Sequence, residues 1–108
     1  WFTSAFAAAQ PDAIAAIGRM LQATDPVGYA GCCAAIRDMD MRRTATLIAV
    51  PTLVIGGTLD PATPPAHSEA LERAIAGSRL VMLEAAHLSN VERPDAFARA
   101  VLDFLAVS

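Results

Sequence analysis

The sequence predicts an α/β protein in which a purely helical first part is followed by strand, helix, strand and helix. Up to about residue 48 the apolar residues recur at helical spacing, and no stretch has the pattern of a strand. From residue 50 onward, two short apolar runs each precede a helical pattern. A strand-helix-strand unit of this length joins parallel strands through a right-handed crossover. We therefore divide the chain into a helical segment, 1–48, and a part that forms a parallel sheet, 49–108.

Two helices are predicted in the first part. The first opens at Pro11, because proline is favoured in the first turn of a helix. One face of it carries apolar residues spaced by three, four and seven positions, namely Ile14, Ile17, Met20 and Leu21. The second starts at Asp25-Pro26 and runs from Val27 to about Met39.

The second helix contains both cysteines of the chain, Cys32 and Cys33. Adjacent cysteines cannot join distant segments, and we interpret them as small apolar core residues rather than as redox or metal-binding groups. This cysteine usage is typical of a reducing compartment, so we expect the protein to be cytoplasmic.

The first strand of the second part covers residues 52–55 and is introduced by Pro51. Its apolar run is unbroken, which is typical of a buried parallel strand. We expect Gly56-Gly57 to end the strand and to allow a sharp exit from it, since the later glycine and lysine of a phosphate-binding loop are lacking.

Two helices and a second strand follow. Thr63, directly before Pro64-Pro65, is expected to cap a helix whose apolar face carries Leu71, Ala74 and Ile75 and which Gly77 stops. The second strand covers 79–83 and the loop after it 84–91. The last helix, 94–106, has an apolar face made by Phe97, Val101, Phe104 and Leu105.

The candidate functional residues are Asp60 and His87, which follow the first and the second strand. Parallel strands end at the same edge of a sheet, and ligands of open α/β sheets bind there. A carboxylate beside an imidazole fixes the tautomer and leaves the second ring nitrogen free to accept a proton from a nucleophile. Taken singly, Asp60 could be a turn residue and His87 a loop residue bonded to backbone. Their matching positions favour an acid–base pair.

Other polar residues are weaker candidates. His67 falls in the first turn of a predicted helix and is expected to be exposed. Asn90 and Glu92 follow His87 closely and could brace its loop, although we favour a role in capping the last helix. Two histidines and one cysteine pair are too few for a zinc site, so no metal or other cofactor is predicted.

The composition excludes some classes of partner. The net charge of −3 is scattered, so neither nucleic acid nor a membrane surface is an expected partner. A hydrophobic content of 55% and a charged content of 18% are unusual for a small soluble domain, and we expect a piece of a larger protein. Two strands also leave unpaired sheet edges, which the missing part or a second copy would cover.

Two motifs resemble those of α/β-hydrolases: Pro51-Thr-Leu-Val-Ile-Gly-Gly-Thr-Leu-Asp60 and Ala85-Ala-His-Leu-Ser-Asn-Val-Glu-Arg-Pro94. The second motif, together with Gly28-Tyr-Ala-Gly-Cys-Cys-Ala-Ala-Ile-Arg-Asp38 and the opening Trp1-Phe-Thr, resembles the 3-oxoadipate enol-lactonases. The resemblance covers essentially the whole chain. It implies the C-terminal part of an α/β-hydrolase, with a partial helical cap over residues 1–48 and the last strands and helices of the core after it.

The resemblance also implies a reaction, namely the opening of the enol-lactone of 3-oxoadipate in bacterial catabolism of aromatic compounds. His87 would be the base and Asp60 the acid of a triad. The serine of such enzymes lies on a Gly-x-Ser-x-Gly turn, and no serine here has those flanking glycines, so the chain alone is expected to be inactive. Candidates to bind the substrate carboxylate are Arg37, Arg42 and Arg43, for which pairing with Asp38 or Asp40 is the favoured alternative.

Two other functions are compatible with the sequence. The chain could come from another α/β-hydrolase without a cofactor, such as a small-ester hydrolase or a haloperoxidase, although the cap residues favour the lactonase. It could also be a non-catalytic module that supports a fused carboxymuconolactone decarboxylase domain. A Gly-x-Ser-x-Gly sequence elsewhere in the full-length protein would favour the hydrolases.

Overall fold

A computed structural model describes residues 1–107, and in it four helices precede the first strand. The elements are α1 (Ser4–Ala9), α2 (Pro11–Gln22), α3 (Pro26–Asp38), α4 (Arg42–Ala45), β1 (Leu53–Gly57), α5 (Pro65–Ala74), β2 (Arg79–Leu83), α6 (Ser89–Glu92) and α7 (Pro94–Leu105). The predicted order of strand, helix, strand and helix is confirmed, with α6 as an addition inside the predicted last loop. Among the described residues, no helix is both long and apolar enough to cross a membrane.

Local signals set the starts of the N-terminal helices. The Thr3 side chain accepts a hydrogen bond from the Phe6 amide at the start of α1. At α3, the Asp25 carboxylate accepts from the Gly28 amide at 2.6 Å, and Pro26 occupies the first turn. The starts predicted at Pro11 and at Asp25-Pro26 are therefore confirmed.

The two strands form a parallel pair in which Leu53 lies opposite Arg79 and Gly57 lies opposite Leu83. Both α5 and α7 pack against both strands. The carboxyl ends of β1 and β2 therefore meet at one edge of the sheet, and the loops that follow them lie side by side.

Gly56 and Gly57 have a different role from the predicted one. The strand continues through both residues instead of ending before them, and neither has a positive φ angle. A side chain at Gly57 would collide with the carbonyl oxygens of Ala85 and Ala86, so this glycine permits close approach of the loop that leads to His87. The positive φ of 74° occurs at Gly77, in the turn before β2.

The buried apolar residues concentrate in the second part of the chain. With the exception of Ala45, they follow residue 50: Val54, Ile75, Leu83, Ala85, Ala86 and Ala100. The prediction that Cys32 and Cys33 are core residues is wrong, since both thiols are free and exposed. No residue of α3 is buried, because nothing within residues 1–107 covers the face that carries these cysteines.

Candidate active site

Asp60 and His87 are presented by two loops that stay paired beyond the strands. The Thr58 amide donates to the Leu83 carbonyl at 2.8 Å, and the Leu59 amide donates to the Ala85 carbonyl at 3.0 Å. These two bonds continue the parallel pairing past the end of β1. The structure therefore brings together the two residues that the sequence places after neighbouring strands.

The acid–base contact joins Asp60 Oδ2 to His87 Nδ1 at 2.8 Å. The Asp60 side chain is 4% exposed, whereas that of His87 is 37% exposed. Because an ionised carboxylate only accepts hydrogen bonds, the proton of the neutral imidazole is assigned to Nδ1. Nε2 is then the nitrogen with a free lone pair, as a general base requires.

Asp60 is held as an anion by a set of donors. Its Oδ1 accepts from the Ala62 amide at 2.8 Å and from the Thr63 amide at 3.1 Å. Burial raises the pKa of this carboxyl group, but hydrogen bonds from Thr63, His87 and Ala62 outweigh burial and hold the pKa well below its usual range. The carboxylate is consequently ionised at any pH at which His87 could act as a base.

Thr63 is a member of the site that sequence reasoning missed. Its hydroxyl donates to Asp60 Oδ2 at 2.5 Å and lies 3.2 Å from His87 Nδ1. The prediction that Thr63 caps α5 is wrong, because α5 starts at Pro65 after Pro64 and receives no side-chain cap. The signal for this role was present as Asp-x-x-Thr, a spacing at which the aspartate binds the amides of its own turn.

Glu92 braces the loop that carries His87. One oxygen of this buried carboxylate accepts from the Thr3 amide at 3.0 Å and from the Thr3 hydroxyl at 2.6 Å, while the other accepts from the Ala86 amide. Burial raises the pKa of Glu92, but these bonds lower it further than burial raises it. The favoured prediction of a cap for α7 is wrong for Glu92, and the alternative of a brace is confirmed. Asn90 lies exposed in α6.

Comparison with known proteins identifies the family of the chain. Residues 24–107 match an α/β-hydrolase family described as TAP-like protein. The chain belongs to the α/β-hydrolases. This confirms the predicted fold class, of which the two-stranded sheet is a fragment.

The resemblance to enol-lactonases is confirmed as well. The chain is 41% identical to 3-oxoadipate enol-lactonase 2 of Acinetobacter baylyi over 94% of its own length and 38% of that protein. It matches the crystal structure of the enol-lactonase from Burkholderia xenovorans with a TM-score of 0.95 and 47% identity, over 98% of this chain and 41% of that one. It is also 37% identical to a pimeloyl-[acyl-carrier protein] methyl ester esterase of Neisseria meningitidis, over 88% of its length and 39% of the esterase. The chain thus spans about two fifths of these relatives.

The remaining candidates of this α/β-hydrolase chain lie on its surface. Arg37 pairs with Asp38 at 2.7 Å, and Arg42 pairs with Asp40, whose pKa the arginine lowers to about 2. The pairing favoured for the arginines is therefore confirmed for these two. That Arg37, Arg42 or Arg43 binds a substrate carboxylate stays a prediction.

The other histidine, His67, and the tyrosine of α3, Tyr29, are accessible. His67 is exposed in the first turn of α5, as expected, and Tyr29 is 44% exposed in α3. Within residues 1–107, no three side chains of the histidine, cysteine, aspartate or glutamate type come together as a metal site would need.

Proposed function

We propose that the full-length protein is a carboxylic ester hydrolase in which His87 is the general base and Asp60 orients it. The observation that carries this proposal is the 2.8 Å contact between His87 Nδ1 and the buried Asp60 carboxylate, at the ends of two paired parallel strands. A base needs a fixed tautomer, a free second nitrogen and access to substrate. The partly exposed imidazole on a buried anion meets all three requirements.

The proposed reaction is a two-step acyl transfer. A serine on a Gly-x-Ser-x-Gly turn, outside the 108 residues, attacks the ester carbonyl while its proton passes to His87 Nε2. The imidazolium is stabilised by the Asp60 carboxylate and then protonates the departing oxygen, leaving an acyl-enzyme. His87 next takes a proton from water as the water oxygen attacks the acyl carbon. The imidazolium then returns this proton to the departing serine oxygen, which releases the acid and restores the serine.

The substrate we propose is the enol-lactone of 3-oxoadipate. Its support is the similarity of this chain, over more than nine tenths of its length, to proteins named as enol-lactonases. In an enol-lactone the leaving oxygen is bonded to a carbon–carbon double bond and stays attached to the product, so ring opening yields an enol that becomes a ketone. The protein would then serve bacterial catabolism of aromatic compounds in the cytoplasm.

We also propose an organisation for the full-length protein. Residues 1–48 would be part of a helical cap over the site, and residues 49–108 would be the end of the core. The rest of the full-length protein, or a second copy, would cover the edges of the β1–β2 sheet. Without a nucleophile the isolated chain would have no esterase activity.

A second candidate function is hydrolysis of an open-chain methyl ester. It is favoured by the methyl ester esterases of Neisseria meningitidis, which are 37% identical to this chain over 88% of its length. The same acid and base would serve both reactions, because a lactone and a methyl ester share the acyl carbon and differ only in the leaving group.

The test compares kcat/KM of the full-length protein on the enol-lactone of 3-oxoadipate and on a dicarboxylate monomethyl ester. We expect the lactone to be preferred by about 100-fold, a ratio that pocket contacts commonly supply. A preference for the methyl ester would favour the second candidate. Failure to hydrolyse either compound would contradict both.

A further inference from the structure

We propose that Thr63 is a positioning residue for the acid–base pair, holding the Asp60 carboxylate in one orientation and sharing the proton of His87 Nδ1. The inference rests on the proposed function, because the pair it serves is the one that would carry out ester hydrolysis. Thr63 lies in the loop between β1 and α5. The strands bring Asp60 and His87 together, and Thr63 would fix the orientation of the carboxylate.

The positions of the hydrogens around Asp60 Oδ2 determine whether the Thr63 hydroxyl donates or accepts in each of its contacts. A threonine hydroxyl has one hydrogen, and here the hydroxyl donates it to Asp60 Oδ2, with 2.5 Å between Thr63 Oγ1 and Oδ2. The oxygen of the same hydroxyl lies 3.2 Å from His87 Nδ1, whose proton points at Oδ2. Thr63 Oγ1 is therefore an acceptor toward the ring, and the Nδ1 proton is shared between the carboxylate and the hydroxyl.

The orientation of the carboxylate depends on this hydroxyl. Backbone amides hold only Oδ1, through residues 62 and 63, while the described partners of Oδ2 are Thr63 Oγ1 and His87 Nδ1. The imidazole is partly exposed and must change protonation during turnover. Thr63 is thus the partner that keeps Oδ2 in place when the histidine moves or is charged.

No competing structural task accounts for the hydroxyl. Within residues 1–107, the hydroxyl has two hydrogen-bond contacts, one with the Asp60 carboxylate and one with the His87 ring. The helix that follows starts after Pro64 and is not capped by a side chain. The hydroxyl can therefore be removed without taking a bond away from any helix or strand.

The kinetic test uses Thr63→Val, which keeps the shape and removes the hydroxyl, and Thr63→Ser, which keeps the hydroxyl. In the full-length protein we expect Thr63→Val to lower kcat about 10-fold, the size expected for one lost hydrogen bond, with KM within about twofold. Thr63→Ser should restore kcat to within about threefold of the unchanged protein. Thr58→Val, at an exposed site in the same loop with no described side-chain bond, is the matched control and should behave as the unchanged protein.

The second readout is the NMR resonance of the His87 Nδ1 proton, which needs no substrate. We expect this proton to exchange with solvent faster in Thr63→Val than in the unchanged protein, because the carboxylate and ring are no longer locked together, and to be protected again in Thr63→Ser. A structural role would lower thermal stability and leave the resonance of the folded protein unchanged.

Two results would overturn the inference. One is a Thr63→Val variant with kcat within twofold of the unchanged protein and an unaltered Nδ1 resonance. The other is a Thr63→Ser variant as impaired as Thr63→Val, since the hydroxyl would then not be the cause. If the unchanged protein hydrolyses no ester, the proposed function fails, and the Nδ1 resonance alone decides the role of Thr63.

Discussion

The first and second parts of the chain have a similar apolar character, yet only the second builds a core. None of α1, α2 and α3 contains a buried residue, whereas the β1–β2 sheet and the helices against it contain nearly all of the buried apolar side chains. The difference shows that apolar residues at helical spacing make a helix but not a core, which needs a second surface.

The exposed side chains of the first part show how much of its surface has no partner among the described residues. Large apolar side chains with at least half of their surface accessible are Trp1, Met20, Val27, Ile36, Met39, Met41 and Leu47. The helices themselves are set by local caps and prolines. We therefore expect the stability of the described chain to reside in its second part, and the following substitutions test that difference.

The largest effect on folding is expected at Gly57, where the backbone of the His87 loop lies closest to β1. In Gly57→Ala the added methyl group would meet the carbonyl oxygens of Ala85 and Ala86, which cannot move aside without breaking the paired loops. We expect a loss of about 2–3 kcal/mol in the free energy of unfolding, measured with urea.

The matched change in the first part is Gly18→Ala in α2, where an added methyl group would meet nothing. It should stabilise the chain by about 0.5–1 kcal/mol, since alanine favours a helix over glycine. Equal destabilisation by the two substitutions would contradict the comparison between the two parts.

A smaller loss is expected at Glu92, which joins the start of the first part to the His87 loop. Glu92→Gln keeps one acceptor oxygen but replaces the other with an NH₂ group, which donates. This group would face either the Ala86 amide or the Thr3 amide and hydroxyl, all of which donate to the carboxylate of Glu92. We expect a loss of about 1–2 kcal/mol at pH 7, measured by urea denaturation. Glu84→Gln, at an exposed glutamate of the same loop, should change stability by less than about 0.5 kcal/mol.

The same substitution should alter the pH dependence of stability. The folded pKa values of Asp60 and Glu92 lie below their usual range. The stabilisation from each carboxylate is therefore complete above its unfolded pKa of about 4 and is lost as the pH falls through the lower, folded value. Glu92→Gln should flatten the acid side of the stability curve, and an unchanged slope would show that Glu92 is not a stabilising anion.

The smallest effect is expected from Ile36→Ala in α3, where the isoleucine is 65% exposed. The Ile36 side chain contributes little buried apolar surface, and alanine is the better helix former. The free energy of unfolding should therefore change by less than about 0.5 kcal/mol. Val54→Ala in β1, where the valine is 8% exposed, provides the contrast and should destabilise by about 1–3 kcal/mol. A large loss at Ile36 would mean that α3 has a partner surface in solution.

Much of the fold was predictable because its signals are local. The proline and aspartate at the start of α3 and the apolar run of β2 act within a few residues of where they occur, and β2 has the predicted bounds. The exposure of Cys32 and Cys33 was not predictable, because it depends on what packs against α3 rather than on α3 itself. Gly57 was misinterpreted for the same reason, since the atoms that exclude a side chain belong to residues far along the sequence.

In the candidate site, too, some contacts were predictable from the sequence and others depend on residues far apart along the chain. The topology rule for parallel strands predicts that Asp60 and His87 meet, and they do, at 2.8 Å. The bond between Thr3 and Glu92 spans 89 residues, and no spacing in the sequence signals it. Thr63 was assigned to helix capping because a threonine before proline fits that pattern, and only the orientation of Asp60 shows that its hydroxyl is directed to the carboxylate.

The measurement that tests the central claim most directly is the esterase kcat of the full-length protein with His87→Ala beside His67→Ala. If the imidazole at 2.8 Å from Asp60 is the general base, His87→Ala should lower kcat by at least about a thousandfold, while the exposed His67 should be replaceable with less than about a twofold change. A His87→Ala variant that keeps kcat within tenfold of the unchanged protein would contradict the account.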